Sequence, residues 1–383
     1  MTGGPGSGRR WRVFHSRGEA MPRIDAFLKI MQANGVSDLH LSAGARPMLR
    51  INGVLEHAEH RSLSEDELKI LLYELLTDTQ ISHLEKEGEL DCAYTLASVG
   101  RFRINIYKKH PGLGAAIRII PNQIPTLDSL GFPGSLKKLI LNRAGLIIVT
   151  GPTNSGKSTT LAAMVDYLND HVNYHIITLE EPLEFIHPNK KCLINQRQIG
   201  EHSKSFANAL RAALREDPNA VLVGEMRDLE TISLALTASE IGLLVFGTLH
   251  TKSAAQTISR IVDAFPVTQQ PQVRFMLSEV LICITSQQLL RRRDGKGRVA
   301  AIEILIGNHA VRNLIREQKG HQLNNAILTG RKEGMQLMDQ HLRELVEGGI
   351  VTAEEALRYA EDPGAIPTGE AKQASAAVMS GRE

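Results

Sequence analysis

Apolar positions change their period along this chain, and the changes mark out its elements. Ile24, Phe27, Leu28 and Met31 recur at helical spacing and stop at Asn34-Gly35, a pair that tolerates the left-handed conformation ending a helix. Asp38-Leu-His-Leu41 and Met48-Leu-Arg-Ile51 alternate with period two, and Asn52-Gly53 is a hairpin turn leading to Val54-Leu55. Ser64-x-x-Glu67 forms a capping box before Leu68, Leu71, Leu72, Leu75 and Leu76, which predicts an amphipathic helix. Three strands follow, over 90–96, 101–108 and 114–120. Together these elements predict an α+β domain over 21–120, preceded by a disordered extension over 1–20 with Met21 as an alternative start.

Paired prolines and glycines, Pro121 with Pro125 and Gly131 with Gly134, predict a linker over 121–134. A second domain over 135–360 then alternates strands with helix-length segments: strands over 145–150, 175–179, 220–223 and 243–249, and helices over 157–168, 205–215 and 229–241. That alternation predicts parallel βαβ units with helices covering the sheet. The ranges 254–265 and 273–286 read as helical, and Asp294-Gly295 as a turn between 289–291 and 299–306. Leu337, Leu342, Leu345, Val346, Ala356 and Leu357 predict a small C-terminal helical bundle, with a disordered tail over 361–383.

The sharpest chemical signal lies where the first strand of the second domain runs into Gly151-Pro-Thr-Asn-Ser-Gly-Lys-Ser-Thr159. Gly151, Gly156, Lys157 and Ser158 fill the G-x-x-x-x-G-K-[ST] pattern of a P-loop, with a strand before it and a helix after it. Backbone N–H groups of Pro152-flanking Thr153, Asn154, Ser155 and Thr159 would then face ATP phosphates, with Lys157 on the β- and γ-phosphates and Ser158 on Mg²⁺. Hydrolysis also needs a water-positioning base, a further metal ligand and a cation. Ala220-Val-Leu-Val-Gly-Glu225 is an apolar strand ending in a carboxylate, which suits Glu225 as a Mg²⁺ ligand, partly through water, although an exposed strand-end Glu has the same pattern. Glu180, in Thr178-Leu-Glu-Glu-Pro182, is the candidate general base, and a solvated acidic turn is the alternative. His250 ends the next strand, where a structural hydrogen-bonding role is equally open. Arg101, Arg103 and Arg118 lie on adjacent strands of the first domain, either facing solvent or serving as arginine fingers toward a neighbouring subunit's nucleotide.

Composition narrows the classes. The 383 residues carry 44 Lys+Arg against 42 Asp+Glu, a net charge of +2, so the chain as a whole has no strong pull toward polyanions. With 4% aromatic residues and no basic-aromatic tract, single-strand nucleic-acid binding is disfavoured. Cys92, Cys192 and Cys283 are widely spaced, which disfavours a disulfide framework or structural zinc and fits a reducing cytoplasm. No apolar run approaches the roughly 18 residues of a transmembrane helix.

Taken together, the motifs resemble those of the secretion ATPase superfamily, in its branch of PilT-like type IV pilus retraction ATPases. The resemblance runs over 21–360 and rests on Ser37-Asp-Leu-His-Leu-Ser42, Gly100-Arg-Phe-Arg-Ile-Asn105, the P-loop, the acidic box at 178–182, Leu222-Val-Gly-Glu-Met-Arg-Asp228 and the histidine box around Gly247-Thr-Leu-His250. It implies an α/β fold with a RecA-like P-loop ATPase domain, an N-terminal PAS-like α+β domain and a C-terminal helical region. It further implies a homohexamer that hydrolyses ATP to drive pilus retraction and twitching motility. Such a ring would be cytoplasmic and peripheral to the inner membrane at the pilus base, acting on a platform protein and only indirectly on the pilin fibre, with a paralogous ATPase beside it left open. Ala310-Val-Arg-Asn-Leu-Ile-Arg-Glu317 resembles the branch's retraction motif; Val311, Leu314 and Ile315 share one helical face and Arg312 and Arg316 form a basic ridge. Two positions depart from the family: Asn154 stands where glycine is usual, and Leu243 where the histidine box usually begins with histidine. Those departures motivate a second reading, an accessory nucleotide-binding subunit with weak hydrolysis.

Overall fold

The structure is a computed structural model describing residues 24–51, 53–97, 99–120 and 123–367. The expected extension 1–20 and residues 368–383 of the expected tail lie outside the described residues, as do Asn52 of the hairpin turn and Pro121 of the linker. The chain divides into two compact units, Met1–Gln123 and Ile124–Glu383.

The first unit runs α1 (Ile24–Ala33), β1 (Val36–Ser42), β2 (Met48–Ile51), β3 (Val54–His57), α2 (Glu65–Tyr73), α3 (Asp78–Glu87), β4 (Glu89–Leu96), β5 (Gly100–Lys108) and β6 (Leu113–Ile120). Its strands form a six-stranded sheet in the order β3-β2-β1-β6-β5-β4, antiparallel at every pairing. Period-two alternation sorts the side chains. Leu39, Leu41, Phe102, Ile104, Ile106 and Ile117 join Ile24, Leu28, Leu68, Leu72 and Leu84 of the helices in one core. The other face carries charge: register aligns Arg50, Asp38, Arg118 and Arg103 in one row across four strands.

The second unit adds α4 (Gly134–Ile140), β7 (Gly145–Thr150), α5 (Lys157–His171), β8 (His175–Glu180), β9 (Leu193–Gln198), α6 (Phe206–Ala213), β10 (Ala220–Val223), α7 (Leu229–Glu240) and β11 (Leu244–Leu249). Then come α8 (Ala254–Asp263), α9 (Gln270–Val280), β12 (Leu281–Arg291), β13 (Arg298–Ile306), α10 (His309–Arg316), α11 (Leu323–Thr329), α12 (Met338–Glu347) and α13 (Ala353–Leu357). The sheet order is β13-β12-β7-β11-β10-β8-β9, and every neighbouring pair is parallel except β12 with β13. Because β7, β8, β10 and β11 run the same way, their carboxyl ends share one edge. Every residue of β7, β10 and β11 is buried, as expected of strands covered on both faces.

The structure departs from the sequence expectations in several places. The helix expected over 273–286 ends at Val280, and Leu281 onward is a long strand that pairs with β7 and β13. Its β-branched Ile282, Ile284 and Thr285 suit a buried strand better than a helix. Helix α3 and strand β9 were absent from the expectations; α3 has a Thr77–Gln80 capping box and a left-handed Gly88 at its end. Leu127 and Phe132, in the stretch read as linker, are buried with α4 and α5. Ile366, in the stretch read as tail, is buried against α12 and α13. Phe246, wholly buried on β11, packs into the α5 side of the sheet. Phe246→Ala is expected to lower the unfolding free energy of the second unit by about 3–5 kcal/mol, measured by denaturant titration; a change below about 1 kcal/mol would contradict that packing.

Candidate functional site

The loop between β7 and α5 is shaped by close backbone approach. Gly151 has φ +145°, and a Cβ there would lie 2.3 Å from the Gln287 carbonyl oxygen of β12. Gly156, with φ +92°, forms the N-cap of α5. Asn154 holds φ +66°, so the residue standing in place of the usual glycine adopts the left-handed conformation that asparagine tolerates. Ser158 and Thr159 fall in the first turn of α5, whose amide groups form the positive end of the helix. Thr153 is exposed and Pro152 half-buried, while Ser155 is buried.

Two of the side chains expected from neighbouring strands, Glu225 and His250, meet the loop's Lys157 at this edge. Lys157 Nζ donates to the carbonyls of Gly151 and Pro152, both at 2.9 Å, and approaches His250 Nδ1 at 3.3 Å. His250 Nε2 lies 2.9 Å from Glu225 Oε1. An ammonium group only donates, so His250 turns Nδ1 to Lys157 as the acceptor and Nε2 to the Glu225 carboxylate. Burial lowers the Lys157 pKa, while Glu225 and Glu184 oppose that fall. Glu225 also pairs with Arg227, whose pKa this contact raises. The Gly-Glu ending of the β10 segment has a steric cause: a Cβ on Gly224 would lie 2.8 Å from the Leu179 carbonyl oxygen.

Glu180, at the end of β8, is held from two sides. Thr178 Oγ1 donates to Glu180 Oε1 at 2.7 Å and Gln196 Nε2 of β9 donates to the same oxygen at 3.3 Å. These contacts fix the carboxylate at the sheet edge that also carries Glu225 and His250.

Sequence reasoning missed the residues that brace these groups. The Gln287 amide is buried and spans two elements, donating to the Ser155 carbonyl at 2.6 Å and accepting from Thr160 Oγ1 at 3.0 Å. It went unnoticed because its neighbourhood read as helix and turn. Thr150 Oγ1 accepts from the Thr251 amide at 3.0 Å and meets Thr251 Oγ1 at 2.6 Å, which in turn meets Thr257 Oγ1 at 2.6 Å. Ser286 Oγ donates to the Lys252 carbonyl at 2.7 Å. The loop bearing His250 is thereby tied to β7 and β12.

Elsewhere, Arg118 Nε donates to Asp38 Oδ1 at 2.7 Å and Arg103 lies 3.8 Å from Asp91, while Arg101 pairs in register with Ile120. All three arginines belong to the first unit. On α10, Val311 and Ile315 are buried with Leu314 packed beside them, and Arg316 pairs with Glu279 of α9 at 2.8 Å. Arg312 Nε donates to the Gly307 carbonyl at 2.9 Å. The basic ridge expected there is therefore engaged locally. Leu243 precedes β11 at its amino end, seven residues before His250 and about 23 Å away along an extended chain, so it does not belong to this edge.

Comparison with known proteins supplies an independent line. The family described as "Type II/IV secretion system protein" matches residues 15–379. The type IV pilus retraction ATPase PilT of Pseudomonas aeruginosa is 48% identical over 340 residues, covering 89% of this chain and 98% of that protein. The twitching motility protein of Neisseria gonorrhoeae is 49% identical over 316 residues, covering 82% and 84% of the two chains. A crystal structure of the pilus retraction motor PilT with bound ADP superposes with a TM-score of 0.80 at 47% identity, over 88% of this chain and 97% of that one.

Gln287→Leu leaves the Ser155 carbonyl and the Thr160 hydroxyl without their shared partner. The loss of such buried hydrogen bonds costs about 1–3 kcal/mol. Fluorescent-nucleotide titration is expected to show roughly tenfold weaker binding, and unchanged affinity would remove Gln287 from the loop's support.

Proposed function

The chain belongs to the type II/IV secretion system protein family, in its PilT-like branch, and we propose that it is an ATP-hydrolysing motor for type IV pilus retraction and twitching motility. The observation that carries this reading is the chain Glu225–His250–Lys157, which joins the ends of two parallel strands to the P-loop at 2.9 and 3.3 Å. In this reading the second unit is RecA-like and the first PAS-like. ATP phosphates lie on the amides of the loop and of the first turn of α5, where Lys157 meets their charge. Asn154 keeps the backbone conformation that a glycine would supply.

Glu180 is the proposed general base. Its carboxylate accepts from Thr178 and Gln196, so it is oriented before any water arrives. The oxygen donors Ser158 and Glu225 fit Mg²⁺, a hard cation that takes few protein ligands and completes its shell with phosphate and water. Bound there, Mg²⁺ would neutralise charge on the phosphates. Arg227 and His250 hold the Glu225 side chain in place.

The assembly is proposed to be a cytoplasmic homohexamer at the inner membrane, in which Arg101, Arg103 and Arg118 of one subunit serve the nucleotide of another. No helix among the described residues is long and apolar enough to cross a membrane, so docking on a membrane partner is the expected mode of attachment. Arg118 begins in a salt bridge with the largely buried Asp38, and its transfer to a phosphate would leave Asp38 to Arg50, 3.7 Å away. The accessory-subunit reading is weakened by the φ of Asn154 and by the position of Leu243.

Steady-state ATPase assays test the motor reading. Glu180→Gln is expected to bind ATP as the wild type does and to lose at least about 100-fold in turnover, in the range typical of a lost general base. Wild-type turnover no faster than that of Lys157→Ala would sink the reading. For the arginines, mixing Arg103→Ala or Arg118→Ala subunits with Lys157→Ala subunits is expected to restore activity above either parent, because each mixture contains sites with both parts intact. No recovery in either mixture would count against action between subunits.

A further inference from the structure

Behind the His250 loop, a buried carboxylate connects the site's edge to the C-terminal helices. Glu303 lies on β13 opposite Ser286 of β12, on the sheet face that packs against α8. It is only 3% exposed. Its Oε1 accepts from the Ala254 amide, the first residue of α8, at 2.7 Å, and the Met338 amide, at the first residue of α12, faces the carboxylate and favours its charged form. Two helices therefore begin beside one side chain, and α8 begins bonded to it. Ala254 follows the segment 250–253 directly, and that segment is already fixed to Thr150 at one end and to Ser286 in its middle. Glu303 supplies the third tether and alone among the three reaches the C-terminal bundle.

A buried acid with no cationic partner among the described residues is an expensive way to anchor a helix start unless its position matters. Among the described residues, the charged groups facing it are acidic, Asp339 on α12 and Glu361 beyond α13. The first turn of α8 carries only Ala254, Ala255, Gln256 and Thr257, and β12 presents uncharged Ser286. His341 of α12, buried nearby, accepts from the Ile302 amide at 2.9 Å, and burial lowers its pKa.

Resting on the ATPase reading above, we propose that Glu303 is a positioning residue for hydrolysis. It couples the loop that carries His250 to the first turn of α12, so that movement of the C-terminal helices and the placement of His250 depend on each other. As a carboxylate Glu303 serves both amides; once protonated, one oxygen becomes a donor and the tether weakens.

Burial pushes the Glu303 carboxyl up to about 7, so this change falls within the working range. The raised value sets the sign. The stability contribution of Glu303 is present below its ordinary pKa and is lost as pH rises through about 7. Ionisation thus costs stability while it completes the tether.

The isosteric Glu303→Gln keeps the volume and one acceptor, so it separates the tether from packing. Wild-type kcat is expected to rise through about pH 7, whereas Glu303→Gln should lack this limb and fall roughly threefold or more below wild type at pH 8, with KM for ATP within twofold. Amide hydrogen exchange at pH 8 should quicken in 250–257 and 338–342 and stay unchanged in the P-loop. Met338→Pro offers a second route: it removes the N–H that faces Glu303 at a first-turn position that proline's backbone fits, after the extended Leu337, and Met338→Ala, which removes the same buried side chain and keeps the N–H, is its control. Met338→Pro should reproduce the exchange change at 250–257. Superimposable pH profiles, or unchanged exchange at 250–257 in both Glu303→Gln and Met338→Pro, would overturn the proposal. If the wild type itself shows no turnover, the ATPase reading fails separately, and exchange still decides whether Glu303 couples the two segments.

Discussion

The hydrogen-bonded parallel ladder joining β7 to β11 on one side and β12 on the other is the constraint from which the site follows. A parallel sheet puts every carboxyl end at one edge, and here those ends bear the P-loop and His250, with Glu225 two residues beyond the end of β10 and Glu180 closing β8. Backbones also approach one another closely there. Gly151 lies against the carbonyl of Gln287, and Gly224 against the carbonyl of Leu179; at both places a side chain would collide with main chain. The glycines belong to the packing of the sheet as much as to the binding of phosphate.

Much of this was legible in the residues. The P-loop pattern, the apolar strand before Glu225 and the turn from β11 into His250 each announce a strand end, and alternation with helices makes the strands parallel. The row Arg50, Asp38, Arg118 and Arg103 was less visible, because cross-strand register depends on turns and on a bulge in β1. Strand β12 was misread, since a short apolar run following a helix has no period of its own to separate it from that helix. With β12 hidden, Gln287 and Ser286 had no address and Glu303, in the segment expected over 299–306, had no visible neighbour, although they carry the supports of the P-loop and of the His250 loop. Long-range hydrogen bonds of this kind leave no local pattern in a sequence.

The two departures from family usage have different standing once placed. Asn154 sits in the loop itself and keeps a left-handed backbone, so the loop's course is preserved while an amide side chain is added at its exposed rim. Leu243 lies at the opposite edge, where its carbonyl accepts from the Gly145 amide at 3.0 Å and helps start β7. Its side chain packs partly into the core beside α7. Position along the strand thus separates a substitution that touches phosphate chemistry from one that touches only the sheet's far end.

The central claim is that this edge hydrolyses ATP with Glu180 directing water and Glu225 serving the metal. A structure of the full assembly with Mg²⁺ and a non-hydrolysable ATP analogue tests it most directly. The account predicts the Glu180 carboxylate within hydrogen-bond reach of the terminal phosphate's attacking water and an arginine from a first unit on the same phosphate. A nucleotide seated on the P-loop with Glu180 still turned to Thr178 and Gln196, and with no water between it and the phosphate, would contradict it.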